Sequence, residues 1–393
     1  MVQRESGARR PARLSARLAA LAVACGSGLG ACAGAPRLAE LDRAERLARA
    51  GHEEAALEAY RAAQLECRRM RDRLRRVAAC DDAQLGRAEL LVHLGRRADA
   101  ARAFESAAVA LAADDDAGAA HALARAGSLR LEAGQDRRAY ELLWRAVVDY
   151  PDQVFAADAL RSLVRDGSRR APAQLYQVLG QLEARIGDTE IGDDLILAMA
   201  ELAEHELADP RAALVHYDEL VAAHPRSGLR DDAMWRAAGL ARRLGDGPGA
   251  IRRLRALIAT REQAWFIGSY FSVWLDDAEL ELGRILRDDL GRPRAAADAF
   301  SQLRRDNPDS TLRDDALWER ARTLAGLGQR EEACRALGQL HGEHAESRWE
   351  LEAAPALRRR LVCRGREADL DRGRARPARK PLARAGAPTI HSR

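Results

Sequence analysis

The chain has 393 residues, of which 47% are apolar, so it is long enough to bury a large core. Its 64 basic and 60 acidic side chains give a formal net charge of +4, and Lys380 is the only lysine. Because the basic charge is nearly all arginine in an alanine-rich chain, we take it as biased composition and expect no nucleic-acid partner.

The first 31 residues have the layout of a secretory signal. Arginines precede an uncharged stretch from Leu18 to Ala31, which is shorter than the ~20 residues of a membrane-spanning helix. This stretch leads into Leu29-Gly30-Ala31-Cys32, which resembles the lipobox of bacterial lipoproteins. The resemblance implies cleavage after residue 31, a lipid on Cys32, and a short lipidated linker over 32–36. Because Ala33 and not an aspartate follows, it also implies the periplasmic face of the outer membrane.

Residues 37–357 repeat a phrase at intervals of 37 to 46 residues. A glycine is followed by an alanine five residues later and by an aromatic residue or leucine nine later. Such a period predicts about eight stacked helical hairpins. In each, the glycine reverses the chain and the other two residues pack the second helix. The glycines are Gly51, Gly95, Gly134, Gly245, Gly291 and Gly328, and Ala171 and Ala208 stand in this position in two further units.

Aspartate pairs and prolines mark the ends of the predicted helices. A pair comes 13 to 15 residues before most of the phrase positions, where we expect a first helix to begin with its N–H groups capped by carboxylates. Proline then closes the second helix in several units. The pairs are Asp81-Asp82, Asp193-Asp194, Asp231-Asp232, Asp276-Asp277 and Asp314-Asp315, and the prolines are Pro151, Pro225 and Pro308.

The phrase resembles the tetratricopeptide repeat over roughly residues 36–357. In that family the glycine lies near the hairpin turn, and the alanine, the aromatic residue and a closing proline follow at similar offsets. The resemblance implies an all-α, α-α superhelical solenoid whose concave face is lined by first helices. With the leader, it points to a tetratricopeptide lipoprotein of the Gram-negative envelope, whose repeats resemble those of the lipoprotein BamD and of CpoB, which is not lipidated.

Two sets of side chains are candidates for binding partner proteins. Trp235 and Trp318 occupy the same repeat position, which faces the groove in the resembled family, and Arg242 and Glu281 lie on the corresponding surface. Packing between hairpins is the alternative role for the tryptophans. A second aromatic patch lies in the extra residues of the longest unit, where it fills a bend or docks a partner. This patch contains Trp265, Phe266, Tyr270, Phe271 and Trp274.

The remaining cysteines form two candidate pairs. Cys67 and Cys80 lie in an insertion within one repeat, and Cys334 and Cys363 lie near the C-terminal end of the repeat array. In an oxidising compartment each pair could close a disulfide. Zinc spacing of the C-x-x-C kind is absent from the sequence.

The sequence contains no pattern that indicates catalysis. The glycine-rich segment 245–249 joins two predicted helices, and His341-x-x-His344 has no third ligand nearby. GxSxG and HExxH do not occur. We therefore expect no enzyme activity, no metal, no cofactor and no small-molecule substrate.

The last residues, 358–393, carry 12 basic and 3 acidic side chains and almost no large apolar residue, so they predict a disordered basic tail. Taken together, the sequence favours a non-enzymatic scaffold, anchored to the membrane by lipid at Cys32. It would hold envelope proteins in outer-membrane protein assembly or in envelope and cell-division coordination. Two alternatives stay open: a regulator or activator of a peptidoglycan enzyme, and a cytoplasmic adaptor whose first 31 residues are a simple extension.

Overall fold

The computed structural model describes residues 38–69, 73–267 and 272–363, and the side chains of 73–79 and 262–267 are not among the described atoms. The predicted signal and Cys32 lie outside this range, as do Tyr270, Phe271 and the tail after residue 363. Trp265 and Phe266 fall within a described helix, but their side chains do not belong to the described set.

The described residues form seventeen α-helices and two π-helical turns and contain no strand, which confirms the all-α class. The chain divides into two compact units, Met1–Leu142 and Leu143–Arg393. No helix in the described part is long and apolar enough to cross a membrane.

The first unit contains five whole helices and the start of a sixth. They are α1 (Ala39–Arg49), α2 (Glu53–Arg69), α3 (Arg73–His93), α4 (Arg97–Leu111), α5 (Asp116–Glu132) and α6 (Asp136–Asp149), which continues into the second unit.

The second unit holds the remaining helices. They are α7 (Val154–Arg170), α8 (Pro172–Ile186), α9 (Gly192–Glu201), α10 (Pro210–Ala223), α11 (Arg230–Arg243), α12 (Gly247–Ile267), α13 (Leu275–Asp288), α14 (Pro293–Asp306), α15 (Arg313–Gly326), α16 (Arg330–Glu343) and α17 (Ala354–Leu361). A π-helical turn at Leu202–Glu206 extends α9, and another at Trp349–Ala353 leads into α17.

Left-handed residues form the hairpin turns at seven of the eight predicted positions, and the exception is Ala171, between α7 and α8, which has φ −153°. All six glycines of the repeated phrase have positive φ, between +59° and +81°. At Gly95 the turn closes with hydrogen bonds from the Gly95 N–H to the Val92 carbonyl and from the Arg96 N–H to the Leu91 carbonyl, both 2.9 Å. These bonds satisfy carbonyls that the end of the helix would leave free. Ala208, which stands in the glycine position, has φ +53°.

The second helices bury the alanine and the large residue of each phrase. All seven alanines have 0% exposure, and the large residues are at most 7% exposed. A small side chain allows close approach of two helices, and a large one four residues later fills the remaining space. The buried set is Ala56, Ala100, Ala139, Ala213, Ala250, Ala296 and Ala333, with Tyr60, Phe104, Leu143, Tyr217, Leu254, Phe300 and Leu337.

Ala208 offers a direct test of the turn geometry. An L-residue with a side chain in the left-handed region costs roughly 1–2 kcal/mol, part of which glycine returns as unfolded-state entropy. We therefore expect Ala208→Gly to raise the free energy of unfolding by about 0.5–1 kcal/mol. The reverse change at an equivalent turn, Gly245→Ala, should lower it. Urea denaturation followed by circular dichroism measures both, and destabilisation by Ala208→Gly would contradict the assignment.

Both candidate cysteine pairs are disulfides. Cys67 in α2 bonds to Cys80 in α3, and Cys334 in α16 bonds to Cys363 after α17. The second bond lies beyond residue 357, and α17 itself continues to Leu361. The folded part of the chain therefore includes residues 358–363, which the sequence analysis assigned to the tail.

The aspartate pairs begin helices at four of the five predicted places. They lie in the first turns of α9, α11, α13 and α15, where a negative charge is favourable next to the helix dipole. The predicted capping role was wrong, because the N-cap residues are Ile191, Leu229, Trp274 and Leu312 and none of the four helices has a side-chain cap hydrogen bond. The prediction for Asp81-Asp82 was wrong, because this pair lies within α3, which begins at Arg73. Residues 73–79, which precede Cys80, already belong to α3, so the first helix of this hairpin is longer than the repeat period suggests.

Asp81 makes the first unit sensitive to pH. Burial, followed by the charge and hydrogen bond of Asp115, raises the pKa of Asp81 from 3.8 to about 7. The folded state binds this proton more tightly than the unfolded state does. Protonation of Asp81 therefore contributes fully to the free energy of unfolding below about pH 4, and this contribution is lost as the pH rises through 7. We expect Asp81→Asn to stabilise the protein at pH 8 by about 1 kcal/mol, the partial exposure of the carboxyl group limiting the gain. Asp82→Asn, at the neighbouring exposed position, is the control. Equal melting temperatures for wild type and Asp81→Asn across pH 4–8 would refute this.

Candidate partner-binding face

The joints between hairpins are built from the aspartate pairs. Ser310, at the joint before α15, donates a hydrogen bond of 2.5 Å to Oδ2 of Asp276 in α13. The next joint repeats this contact, with Ser347 donating to Oδ2 of Asp314 at 2.5 Å. Asp276 also accepts the N–H of Asp277 at 3.0 Å, a contact within the first turn of α13. Asp276 and Asp314 therefore bind the hairpin that follows each of them.

Two stacked tryptophan pairs bridge the same joints. The rings of Trp235 and Trp274 lie 5.2 Å apart with an interplanar angle of 9°, and those of Trp318 and Trp349 lie 5.4 Å apart at 12°. The indole N–H of Trp349 donates to Oδ1 of Asp315 at 2.8 Å. The equivalent N–H of Trp274 donates to Asp232. Each stack therefore fixes a first helix to the start of the next one.

These contacts show how far Trp235 and Trp318, the two predicted binding residues, are buried. Trp318 is 8% exposed and belongs to a core cluster with Leu317, Leu337 and Leu357, whereas Trp235 is half-buried. The structure thus gives both side chains a packing role between hairpins, with part of Trp235 still open to solvent. Trp274, the described side chain of the second aromatic patch, is the stacking partner of Trp235.

Arg242 and Glu281 lie together in a series of ion pairs between first helices. Arg242 of α11 lies 2.5 Å from Glu281 of α13 and donates a hydrogen bond of 2.8 Å to Asp289. Burial disfavours the charged guanidinium, but hydrogen bonds to Asp289 and Glu281 outweigh it and raise the pKa of Arg242. Arg242 is thus held in a fixed orientation.

Similar ion pairs between first helices, which we call rungs, occur on both sides of Arg242–Glu281. Arg236 of α11 lies 2.8 Å from Glu201 of α9. Arg287 of α13 lies 2.5 Å from Glu319 of α15, and Arg284 lies 3.5 Å from the same carboxylate. We call this series, from α9 to α15, the ion-pair ladder. It gives the first helices a rigid polar surface with alternating charge.

Arg242 and Glu281 were predicted from the sequence as surface residues but not as a pair, and the other ion pairs of the ladder were not predicted. Glu281 and Glu319 each follow a joint serine, Ser272 or Ser310, by nine residues, and Arg284 follows Ser272 by twelve. This common offset was visible in the sequence, but only knowledge of which residues meet across hairpins shows that it pairs charges.

The remaining candidates have structural contacts. Nδ1 of His341 lies 2.9 Å from Glu350, which also accepts a 2.8 Å hydrogen bond from Arg358 of α17. His344 follows the last residue of α16. Among the described residues there is no group of three His, Cys, Asp or Glu side chains that could hold a metal ion.

Comparison with known proteins identifies the repeat. The tetratricopeptide repeat matches residues 277–310 and 315–347, which correspond to α13 with α14 and to α15 with α16. No curated protein sequence matches the chain.

Three solved structures illustrate the similarity in fold. The C-terminal part of a TPR repeat-containing protein from Cytophaga hutchinsonii is 14% identical, with 70% of this chain and 99% of that chain covered and a TM-score of 0.41. A tetratricopeptide repeat protein from Parabacteroides merdae is 13% identical, with 82% and 97% covered and a TM-score of 0.28. A kinesin light chain-related repeat protein from Podospora anserina is 17% identical, with 47% and 93% covered and a TM-score of 0.35.

The repeat match coincides with the hairpins that the glycine turns, buried alanines and serine joints define. This fold is typically a non-catalytic module for binding other proteins. The chain is therefore an all-α array of helical hairpins, two of which match the tetratricopeptide repeat.

Proposed function

We propose that this protein is a non-enzymatic scaffold, lipid-anchored at Cys32 to the periplasmic face of the outer membrane. It binds other envelope proteins through the surface formed by its first helices. Its work belongs to outer-membrane protein assembly or to envelope and cell-division coordination.

The proposed localisation rests on the lipobox-like sequence before Cys32. Two disulfides, Cys67–Cys80 and Cys334–Cys363, support it independently, because disulfides persist mainly in oxidising compartments. They disfavour the cytoplasmic adaptor, whose thiols would be kept reduced.

The ion-pair ladder supports first-helix binding. Repeat arrays bind partners along the surface that consecutive repeats share. Here that surface is held by rungs such as Arg236–Glu201 and Arg242–Glu281 and includes the exposed part of Trp235. A surface whose side chains are already oriented loses little entropy when a partner binds.

The address is tested by fatty-acid labelling in cells. Cys32→Ser should lose the label and leave the membrane fraction, while Cys25→Ser, a change in the same leader, should retain both. Full labelling of Cys32→Ser would overturn the anchor.

The binding surface is tested by affinity capture from solubilised membranes. Exchanging a rung, with Glu201→Arg and Arg236→Glu in one protein, keeps an ion pair at that place but reverses the charges that a partner meets. We expect the exchanged protein to fold and to lose captured envelope proteins. Capture equal to that of the wild type would place docking elsewhere.

A further inference from the structure

A cleft of about 350 Å³ lies where the ladder ends. It is formed by α15 on one side and by the final π-helical turn and α17 on the other. The lining residues are Trp318, Arg322, Ala353, Ala356, Leu357 and Arg360. Its volume suits one or two side chains of a ligand, and its walls combine apolar groups with two guanidinium groups.

The cleft occupies the position of a missing rung. Glu281 and Glu319 each follow a joint serine by nine residues, and the same offset from Ser347 gives Ala356. Arg284 lies twelve residues after Ser272 and reaches Glu319 on the following helix at 3.5 Å. Arg322 lies twelve after Ser310, so its counterpart on the following helix is Ala356. An alanine there removes both the carboxylate and the volume of the side chain.

Positive charge is consequently in excess at this end of the ladder. Glu319 is 3.4 Å from Arg322 but is shared with Arg284 and Arg287. Arg360 is exposed and has no ion pair or hydrogen bond to any described residue. Arg322 therefore lacks the carboxylate on the following helix that its equivalent Arg284 has, and Arg360 adds a second guanidinium group at the same cleft.

We propose that this cleft binds an acidic side chain of a partner protein. The partner's carboxylate takes the place of the missing glutamate between Arg322 and Arg360, where charge-assisted hydrogen bonds are strong. A neighbouring aliphatic side chain of the same peptide packs on Trp318 and Leu357. This inference rests on the proposed scaffold function, because it assumes a protein partner.

The test uses two capped peptides, an acetylated and amidated Leu-Glu repeat and the matching Leu-Gln repeat, with the full chain. Fluorescence anisotropy of labelled peptides should show the Leu-Glu peptide binding at least about tenfold more tightly. Arg322→Gln should weaken that binding about tenfold. Ala356→Glu should abolish it, because the chain then supplies its own carboxylate and fills the cleft. Arg335→Gln, an exposed arginine on α16, should have no effect.

Equal affinity for the two peptides, or wild-type affinity in Arg322→Gln, would overturn the proposal. Circular dichroism checks the fold of each variant, and Arg322→Gln decides the matter if Ala356→Glu does not fold. These outcomes are separate from failure of the scaffold function. Capture of envelope proteins by the whole array and labelling of Cys32 do not depend on this cleft.

Discussion

Replacing Trp318 by alanine lowers the free energy of unfolding of the second unit by about 3–5 kcal/mol, as for other buried aromatic side chains. Trp318 is 8% exposed and packs with Leu317, Leu337 and Leu340. The change also removes the stack on Trp349 at 5.4 Å, and ring pairs contribute beyond their buried area. The measurement is equilibrium denaturation in guanidinium chloride, followed by circular dichroism.

Trp235→Ala is the matched control, since this residue has the same place in its repeat and a similar stack but is only half-buried. We expect its loss of stability to be clearly smaller. Iodide quenching gives a second readout: the fluorescence that is lost in Trp318→Ala should come from an indole protected from iodide in the wild type, and that lost in Trp235→Ala from an accessible one. A loss of less than about 1 kcal/mol for Trp318→Ala, with ready quenching of its indole, would show that the side chain is exposed.

Removing the Cys334–Cys363 disulfide has the second largest expected effect. The cysteines are 29 residues apart, and the bond fixes the segment after α17 to α16. Constraint of a loop of this length in the unfolded chain is worth about 3–4 kcal/mol. Cys334→Ser with Cys363→Ser should lose this amount and increase hydrogen exchange in α17, while the helices of the first unit keep their protection.

The Cys67–Cys80 bond provides the comparison. Its cysteines are 13 residues apart, so the same change there should cost slightly less, about 3 kcal/mol, and should affect α2 and α3. If removal of Cys334–Cys363 left α17 as protected as before, the ion pair of Glu350 with Arg358 and its contact with His341 would suffice to hold the helix.

The hairpins were predictable because local chemistry determines them. Positive φ suits glycine, so the six phrase glycines marked their turns without knowledge of the tertiary structure. Even Ala208 was identified from its phase alone. The buried alanine and aromatic positions followed, because a spacing of four places both residues on one face of a helix.

The sequence was less informative where contacts between residues distant in the chain determine the structure. Asp81-Asp82 has the same composition as the other pairs, but here the helix begins earlier and the pair lies in its interior. The disulfides could only be offered as candidates, because spacing alone does not bring two thiols together. The roles of Trp235 and Trp318 depended on Trp274 and Trp349, each contributed by the following joint.

The candidate binding face was predictable in location and not in detail. Arg242 and Glu281 were assigned to it separately, and the structure shows them paired at 2.5 Å. Consequently neither is a free charge available to a partner, and the guanidinium groups without a carboxylate on the facing helix are those of Arg322 and Arg360 by the cleft. The role of Ala356 could not be predicted from the sequence, because the missing carboxylate becomes evident only when the structure shows which arginine faces this position.

Photo-crosslinking in living cells tests the central claim, that first helices form the surface that binds envelope proteins, most directly. A benzoylphenylalanine residue replaces Arg243 on α11 in one strain and Arg335 on α16 in another, both of which are exposed. The proposed function predicts crosslinks to envelope proteins from position 243 and few or none from position 335. Crosslinks only from position 335, or crosslinks from 243 to cytoplasmic proteins alone, would contradict it.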